Sequence, residues 1–94
     1  MDENYLGVRG GKVMSYVGPD ATAAFRAITI ASALRFYAKT GMKVNRSYSP
    51  KLMMSAAANI TQKIYKRGEY LRAADDLMKW ADEMKAALPV REEE

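Results

Sequence analysis

Residues 19–41 read PDATAAFRAITIASALRFYAKTG, and this stretch decides the fold. Pro19 and Asp20 suit the first turn of a helix, where the N–H groups are free and the helix dipole favours an acid. Gly41 suits its end, because glycine adopts the left-handed backbone conformation at little cost. The residues between are apolar nearly all round the helix, which is typical of a helix at the centre of a domain or in a subunit interface. Since few other elements can cover it, we expect a homo-oligomer.

Two further helices are predicted downstream. Ser49 and Pro50 form an N-cap and first helical position, and apolar residues at helical spacing continue to about Thr61. A third helix opens at Gly68 and closes at about Leu88, before a proline. The sequence therefore predicts an all-α fold, a compact helical domain of three helices within residues 16–90.

The two ends of the chain are predicted to lie outside this helical domain. Short β-prone runs flank Gly10 and Gly11, so residues 1–15 form either a loose arm or a β-hairpin with a primed turn. Both alternatives stay open on the sequence. Residues 91–94 read REEE and are expected to form an acidic, solvated tail.

The composition excludes several classes of function. The 94 residues include no cysteine and no histidine, which removes disulfides, thiolate metal sites and the commonest general base. Neither a P-loop nor a dinucleotide-binding glycine motif occurs. We therefore expect a protein that is not an enzyme and has no metal or cofactor. No apolar run approaches the roughly 20 residues of a membrane span, so no membrane partner is expected.

The charge is distributed unevenly along the chain. The formal net charge is +4, yet residues 19–68 hold nine bases and one acid, while residues 69–94 hold eight acids and four bases. A stretch of one sign attracts anions. Two interpretations remain open: the basic stretch pairs with the acidic third helix, within the chain or across an oligomer, or it binds an anionic partner.

Two groups of bases beside tyrosines lie at the starts of the second and third helices. The first contains Lys43, Asn45, Arg46, Tyr48 and Lys51, and the second contains Lys63, Tyr65, Lys66, Arg67 and Tyr70. The end of a helix that presents free N–H groups favours phosphate, arginine grips phosphate oxygens, and a tyrosine ring can stack on a base. This combination indicates a site for a phosphate-bearing small molecule, a nucleotide or a single-stranded nucleic acid. The alternative, which stays open, is that Tyr65 and Tyr70 border the core and the bases are solvated. The candidate ligand-binding residues are Arg35, Lys39, Arg46, Tyr48, Tyr65, Lys66 and Arg67.

Four phrases carry a resemblance to a known family. They are YVGPDA at 16–21, LRFYAKTG at 34–41, NRSYSP at 45–50 and YKRGEY at 65–70. In these the chain resembles a family of small proteins encoded by bacteriophages and prophages. The resemblance implies a phage origin, action in the host bacterial cytoplasm and, by analogy, inhibition of a host system.

The expected function follows from charge and resemblance together. We expect non-enzymatic, phage-type binding of an anionic, phosphate-bearing ligand, with sequestration of a nucleotide immune signal, a counter-defence activity, as the specific case. One alternative is an inhibitor that binds a host defence protein through its basic face. Another is a DNA- or RNA-binding protein of weak specificity.

Overall fold

A hairpin opens the folded part of the chain in this computed structural model, which describes residues 3–44 and 46–92. Strands β1 (Tyr5–Arg9) and β2 (Lys12–Val17) pair in antiparallel fashion. Gly10 and Gly11 connect them, both with positive φ, as a two-residue hairpin turn of the primed type requires. Of the two forms expected for the N-terminal segment, residues 5–17 therefore adopt the hairpin.

The prediction of an all-α fold is wrong, because the C-terminal segment completes a sheet. Strand β3 (Val90–Glu92) pairs in parallel with β1, Leu6 lying opposite Val90, and the strand order is β2–β1–β3. Three helices and a three-stranded mixed sheet make an α+β fold. Arg91 and Glu92, expected in a tail, belong to β3, while residues 93 and 94 lie outside the described residues.

Helix α1 (Pro19–Thr40) has the expected bounds. Gly41 ends it with a φ of 72°, and its N–H donates to the Tyr37 carbonyl at 2.7 Å. At the other end the Asn4 side-chain oxygen accepts from the Asp20 N–H at 2.7 Å, so the residue before β1 caps the helix. Gly18 permits this approach, because a Cβ there would lie 1.8 Å from the Glu3 carbonyl oxygen.

Helices α2 (Pro50–Thr61) and α3 (Tyr70–Ala87) also follow the sequence-based expectation. Ser49 is the N-cap of α2, and its hydroxyl oxygen accepts from the Leu52 N–H at 3.2 Å. Gln62, with a φ of 60°, ends α2 in the left-handed conformation. Within residues 3–44 and 46–92, no helix is long and apolar enough to cross a membrane.

The core is built mainly of small side chains between α1 and α3. Leu34 and Leu77 are its largest fully buried members. Around them lie the buried alanines Ala27, Ala31, Ala33, Ala57, Ala73, Ala74 and Ala81. Side chains this short let two helix axes approach to about 8 Å, the lower end of the usual range.

A second, smaller cluster attaches the sheet to one end of the helices. Leu6 of β1 packs with Ala21, near the start of α1, and with Leu88, just after α3. At the opposite end, the rings of Tyr37 and Tyr70 touch, so α1 and α3 run antiparallel. The molecule therefore has a sheet end and, opposite it, an end where α1 finishes and α3 begins.

Candidate functional site

A concave site, here called the basic cleft, lies at the end of the molecule opposite the sheet. The last turns of α1, the first turn of α2, the connector 62–69 and the start of α3 surround it. Its volume is about 540 Å³, within the range of roughly 300–1,000 Å³ typical of small-molecule sites. Its lining residues are Tyr37, Ser49, Pro50, Lys51, Met54, Tyr65, Lys66, Arg67 and Tyr70.

Three cationic side chains of the basic cleft form no ion pair within residues 3–44 and 46–92. Lys51, Lys66 and Arg67 are exposed, and across the described part of the chain no ion pair involves any of them. Other bases of the same stretch are paired: Arg35 lies 3.0 Å from Asp75, and the Lys63 ammonium lies 3.3 Å from Asp76. The Glu69 carboxylate, which accepts from the Lys66 N–H at 2.6 Å, offsets part of the charge of Lys66. No ion pair in the described chain balances Lys51 or Arg67, and their field attracts anions.

The first turn of α2 adds backbone donors to these charges. Pro50 has no N–H, and the Leu52 N–H is used by the Ser49 cap. The Lys51 N–H has no partner among the described residues, and it belongs to the turn that lines the cleft. No acid lies in this turn. A free donor at the positive end of a helix dipole, beside a lysine ammonium, favours a phosphate oxygen.

Hydrogen bonds hold the Tyr65 ring in place at the edge of the cleft. Its hydroxyl donates to Asp76 Oδ2 at 2.9 Å. Because that bond uses its only proton, the contact with Thr61 Oγ1 at 2.8 Å has the threonine as donor. Thr61 Oγ1 is also 2.8 Å from the Ala57 carbonyl, so its hydrogen is shared between two acceptors. Burial raises the pKa of Tyr65, and the phenol stays neutral.

Asp76 fixes both Tyr65 and Lys63. Burial by itself acts to raise the pKa of Asp76, but the hydrogen bonds from Tyr65 and Lys63 outweigh it and lower the pKa below its ordinary value. The guanidinium of Arg72 lies 5.5 Å from the centre of the Tyr65 ring and covers one of its faces. Contacts with the end of α2 and with α3 thus place Tyr65, and this part of the cleft lining is defined before any ligand binds.

Another part of the cleft lining is an aromatic pair. Tyr37 of α1 and Tyr70 of α3 pack edge to face, with ring centroids 5.2 Å apart and an interplanar angle of 89°. This is one of the preferred geometries for two aromatic rings, and such a pair stabilises by about 0.5–1.5 kcal/mol beyond its burial. The cleft therefore combines cations with tyrosine surfaces suited to a base or a ribose.

Only part of the predicted ligand-binding set lies at the basic cleft. Tyr65, Lys66 and Arg67 line it. Four others do not. Arg35 pairs with Asp75 on α3, and Lys39 is exposed in the last turn of α1. Arg46 is exposed in the loop before α2, and Tyr48 packs against the hydrophobic core.

Several lining residues were absent from that prediction. Lys51 and Tyr70 belong to the same two groups of bases and tyrosines in the sequence. Their positions in the first turns of α2 and α3 could therefore have indicated that they line the site. Ser49 was recognised as a cap, which already placed it at a helix N-terminus. Tyr37 carries no such signal, because its place depends on how α1 is rotated against α3.

The described residues contain no group of three acidic side chains that could hold a metal ion. Protein-family models, curated proteins and solved structures were compared with the chain, and none of them matches it.

Proposed function

We propose that the protein binds a phosphate-bearing small molecule in the basic cleft without transforming it. A nucleotide-type signal is the specific case. The observation that carries the proposal is the convergence of Lys51, Lys66 and Arg67, which lack carboxylate partners in the described chain, on one cleft walled by tyrosines.

Each group has a role that follows from its chemistry. The guanidinium of Arg67 can grip two phosphate oxygens at once, whereas Lys51 and Lys66 act as mobile point charges. The Lys51 N–H at the start of α2 supplies a fixed donor. Tyr65 and Tyr70 offer ring surface on which a base or ribose packs.

Binding rather than catalysis is favoured by the state of the nearest carboxylates. Glu69 accepts hydrogen bonds from the Lys66 N–H and from Arg72, which together lower its pKa. Asp76 is likewise ionised and engaged by Tyr65 and Lys63. Both carboxylates therefore serve to shape the connector and the cleft, and neither holds a proton at neutral pH that it could donate to a leaving group.

The biological setting proposed for this binding rests on the resemblance to phage and prophage proteins. A phage protein in the host bacterial cytoplasm that holds a nucleotide immune signal removes it from the defence pathway by mass action. Such sequestration requires high affinity for the signal and a high concentration of the protein, and it requires no catalytic turnover. The cations of the basic cleft support affinity for a phosphate-bearing signal. Native mass spectrometry of the protein purified from a phage-infected, defence-active culture tests this setting through a co-purifying mass in the nucleotide range.

The binding itself is tested by calorimetry with pyrophosphate. The double variant Lys51→Ala/Arg67→Ala is expected to bind at least about tenfold more weakly, equivalent to about 1.4 kcal/mol. Lys12→Ala/Lys85→Ala is the matched control, because it lowers the net charge by the same two units away from the cleft. Equal weakening by both variants, or no binding of pyrophosphate to the parent protein, contradicts the proposal.

A second candidate function, inhibition of a host protein, is supported by an exposed apolar surface. Phe36 and Val44 are 40% and 49% exposed and line a shallow cavity with Tyr48; Leu52, 60% exposed, lines the next cavity with Tyr48 and Arg26. An exposed apolar patch beside a base, Arg26, suits a protein partner. The expected homo-oligomer would use the same surface.

The two uses of this surface are separated by sedimentation. A self-association that Phe36→Ser/Leu52→Ser abolishes assigns the surface to a second copy. A monomeric parent protein removes the homo-oligomer and leaves the surface to a host protein. The remaining alternative, nucleic-acid binding, predicts affinity for a single-stranded oligonucleotide that falls steeply with salt concentration.

A further inference from the structure

A second cavity adjoins the basic cleft on the other side of the aromatic pair. Its volume is about 470 Å³, and Tyr37 and Tyr70 line both spaces. We call it the glycine cavity; its other lining residues are Ala38, Gly41, Gly68, Glu69, Leu71 and Arg72. The two spaces are therefore neighbours that share the surfaces of these two rings.

The glycine cavity differs from the basic cleft in charge. Its only base, Arg72, is neutralised by Glu69 at 3.0 Å. The Glu69 carboxylate accepts one hydrogen bond on each oxygen, from the Lys66 N–H at 2.6 Å and from Arg72. A carboxylate has about four lone-pair positions, so about two acceptor positions remain. An ionised carboxylate repels phosphate but accepts from a hydroxyl or amino group.

The shape of the cavity also favours a neutral, flat group. Gly41 and Gly68 form part of its wall, and a Cβ built at either position would meet no other atom within 4 Å. Both have positive φ, at 72° and 91°, which glycine adopts without strain. The wall at these two residues is thus bare backbone beside open space, and a planar ring or a sugar can approach it closely.

We infer that the ligand of the basic cleft is a nucleoside phosphate that spans both spaces. Its phosphates lie among Lys51, Lys66 and Arg67, and its nucleoside crosses the Tyr37–Tyr70 pair into the glycine cavity. There a ribose hydroxyl or a base amino group donates to Glu69. This inference rests on the proposed function, since it assigns a second half to the ligand whose phosphate the basic cleft binds.

The test compares pyrophosphate with ADP, GDP, CDP and UDP by calorimetry on the full chain. A nucleoside diphosphate carries no more negative charge than pyrophosphate, so any gain in affinity comes from the nucleoside. We expect at least one of the four to bind about tenfold more tightly than pyrophosphate, equivalent to about 1.4 kcal/mol. Pyrophosphate binding with no gain from any nucleoside overturns the inference and leaves the proposed function intact. No binding of either probe overturns both.

Two variants locate the gain in the glycine cavity. Ala38 is an exposed helical residue that lines the glycine cavity and not the basic cleft. Ala38→Leu is therefore expected to narrow the glycine cavity and to leave the basic cleft unchanged. Glu69→Gln removes the negative charge. Ala38→Leu is expected to reduce the affinity for the nucleoside diphosphate to that for pyrophosphate and to leave pyrophosphate binding unchanged. Because Glu69 also shapes the connector beside the basic cleft, Glu69→Gln is judged by the ratio of the two affinities, which is expected to fall.

The matched control is Ala86→Leu, the same substitution at an exposed position near the far end of α3. It is expected to leave both affinities as in the parent protein. Because retained pyrophosphate binding reports a folded cleft, a variant that merely unfolds is recognised at once. If Ala38→Leu and Glu69→Gln bind the nucleoside diphosphate as tightly as Ala86→Leu does, the inference is wrong.

Discussion

The two ends of this molecule use the same residue types for different purposes. At the sheet end, Arg91 lies 4.2 Å from the centre of the Tyr5 ring and 2.9 Å from the Glu3 carboxylate. At the opposite end, Arg67 shares a cleft with tyrosines, but no carboxylate partner is found for it in the described chain. The difference lies not in the arginine but in whether the fold supplies the neutralising acid.

A cation whose charge is balanced within the chain is part of the architecture, whereas an unbalanced one is available to a ligand. The basic stretch 19–68 contains both kinds. Arg35 and Lys63 pair with acids of α3, in agreement with the interpretation that the basic stretch pairs with the acidic third helix. Lys51, Lys66 and Arg67 form no ion pair in the described chain, and for them binding of an external anion is our proposal.

The largest effect on stability is expected at the sheet end. Leu6 is 4% exposed and packs with Ala21 and Leu88, so Leu6→Ala should lower the free energy of unfolding by about 2–4 kcal/mol. Pyrophosphate binding by the folded fraction should not change. Urea unfolding and calorimetry measure the two quantities, and Met14→Ala, exposed on the same hairpin, is the control. A comparable loss of affinity in Leu6→Ala would show that the two ends are not independent.

An intermediate effect on stability is expected at Asp76, which holds the cleft residue Tyr65 in place. Asp76→Asn removes the charge that holds Tyr65 and Lys63, and should cost about 1–2 kcal/mol of stability at pH 7. Because the folded state lowers the pKa of Asp76 from 3.8, its contribution is present above that value and is lost as the pH falls below it.

Thermal unfolding at pH 7 and near pH 3 checks this linkage. The difference in unfolding temperature between the parent protein and Asp76→Asn should be smaller at the lower pH. Asp82→Asn, at an exposed position of the same helix, should follow the parent protein at both values. If this difference in unfolding temperature is the same at both pH values, Asp76 acts through packing and not through its charge.

The smallest effect on stability is expected from the balanced arginine. Arg91→Ala should lower the unfolding temperature slightly at low salt and less at high salt, because both charges of the pair are exposed. It should not change pyrophosphate affinity. Arg67→Ala should do the reverse, leaving stability nearly unchanged and weakening binding. If both arginine variants change the unfolding temperature, or both change pyrophosphate affinity, the distinction between the balanced and the unbalanced arginine is wrong.

The helices could be predicted because their ends are encoded locally. Ser49 and Pro50 start α2, and Gly41 ends α1, each through contacts within a few residues. Strand β3 could not, because its three residues are all exposed and its partner strand lies at the other end of the chain. A segment so short has no periodicity of its own, and only the tertiary fold makes it a strand.

The site divides in the same way. Tyr65, Lys66 and Arg67 are consecutive and precede a helix, so a local pattern indicated residues that line the basic cleft. Arg35 does not line it and pairs with Asp75, which is 40 residues away in the sequence, so a local pattern could not indicate this contact. Charge patterns thus predict where cations are plentiful. Which of them are left unpaired depends on packing.

The most direct test of the central claim is a titration of the ¹⁵N-labelled protein with pyrophosphate, followed through backbone amide shifts. We predict the largest shifts at Lys51, Lys66 and Arg67, which surround the basic cleft, and none at Tyr5 or Arg91 in the sheet end. Shifts spread evenly over the exposed bases, or largest at the sheet end, would contradict the claim that unpaired cations in the cleft form the binding site.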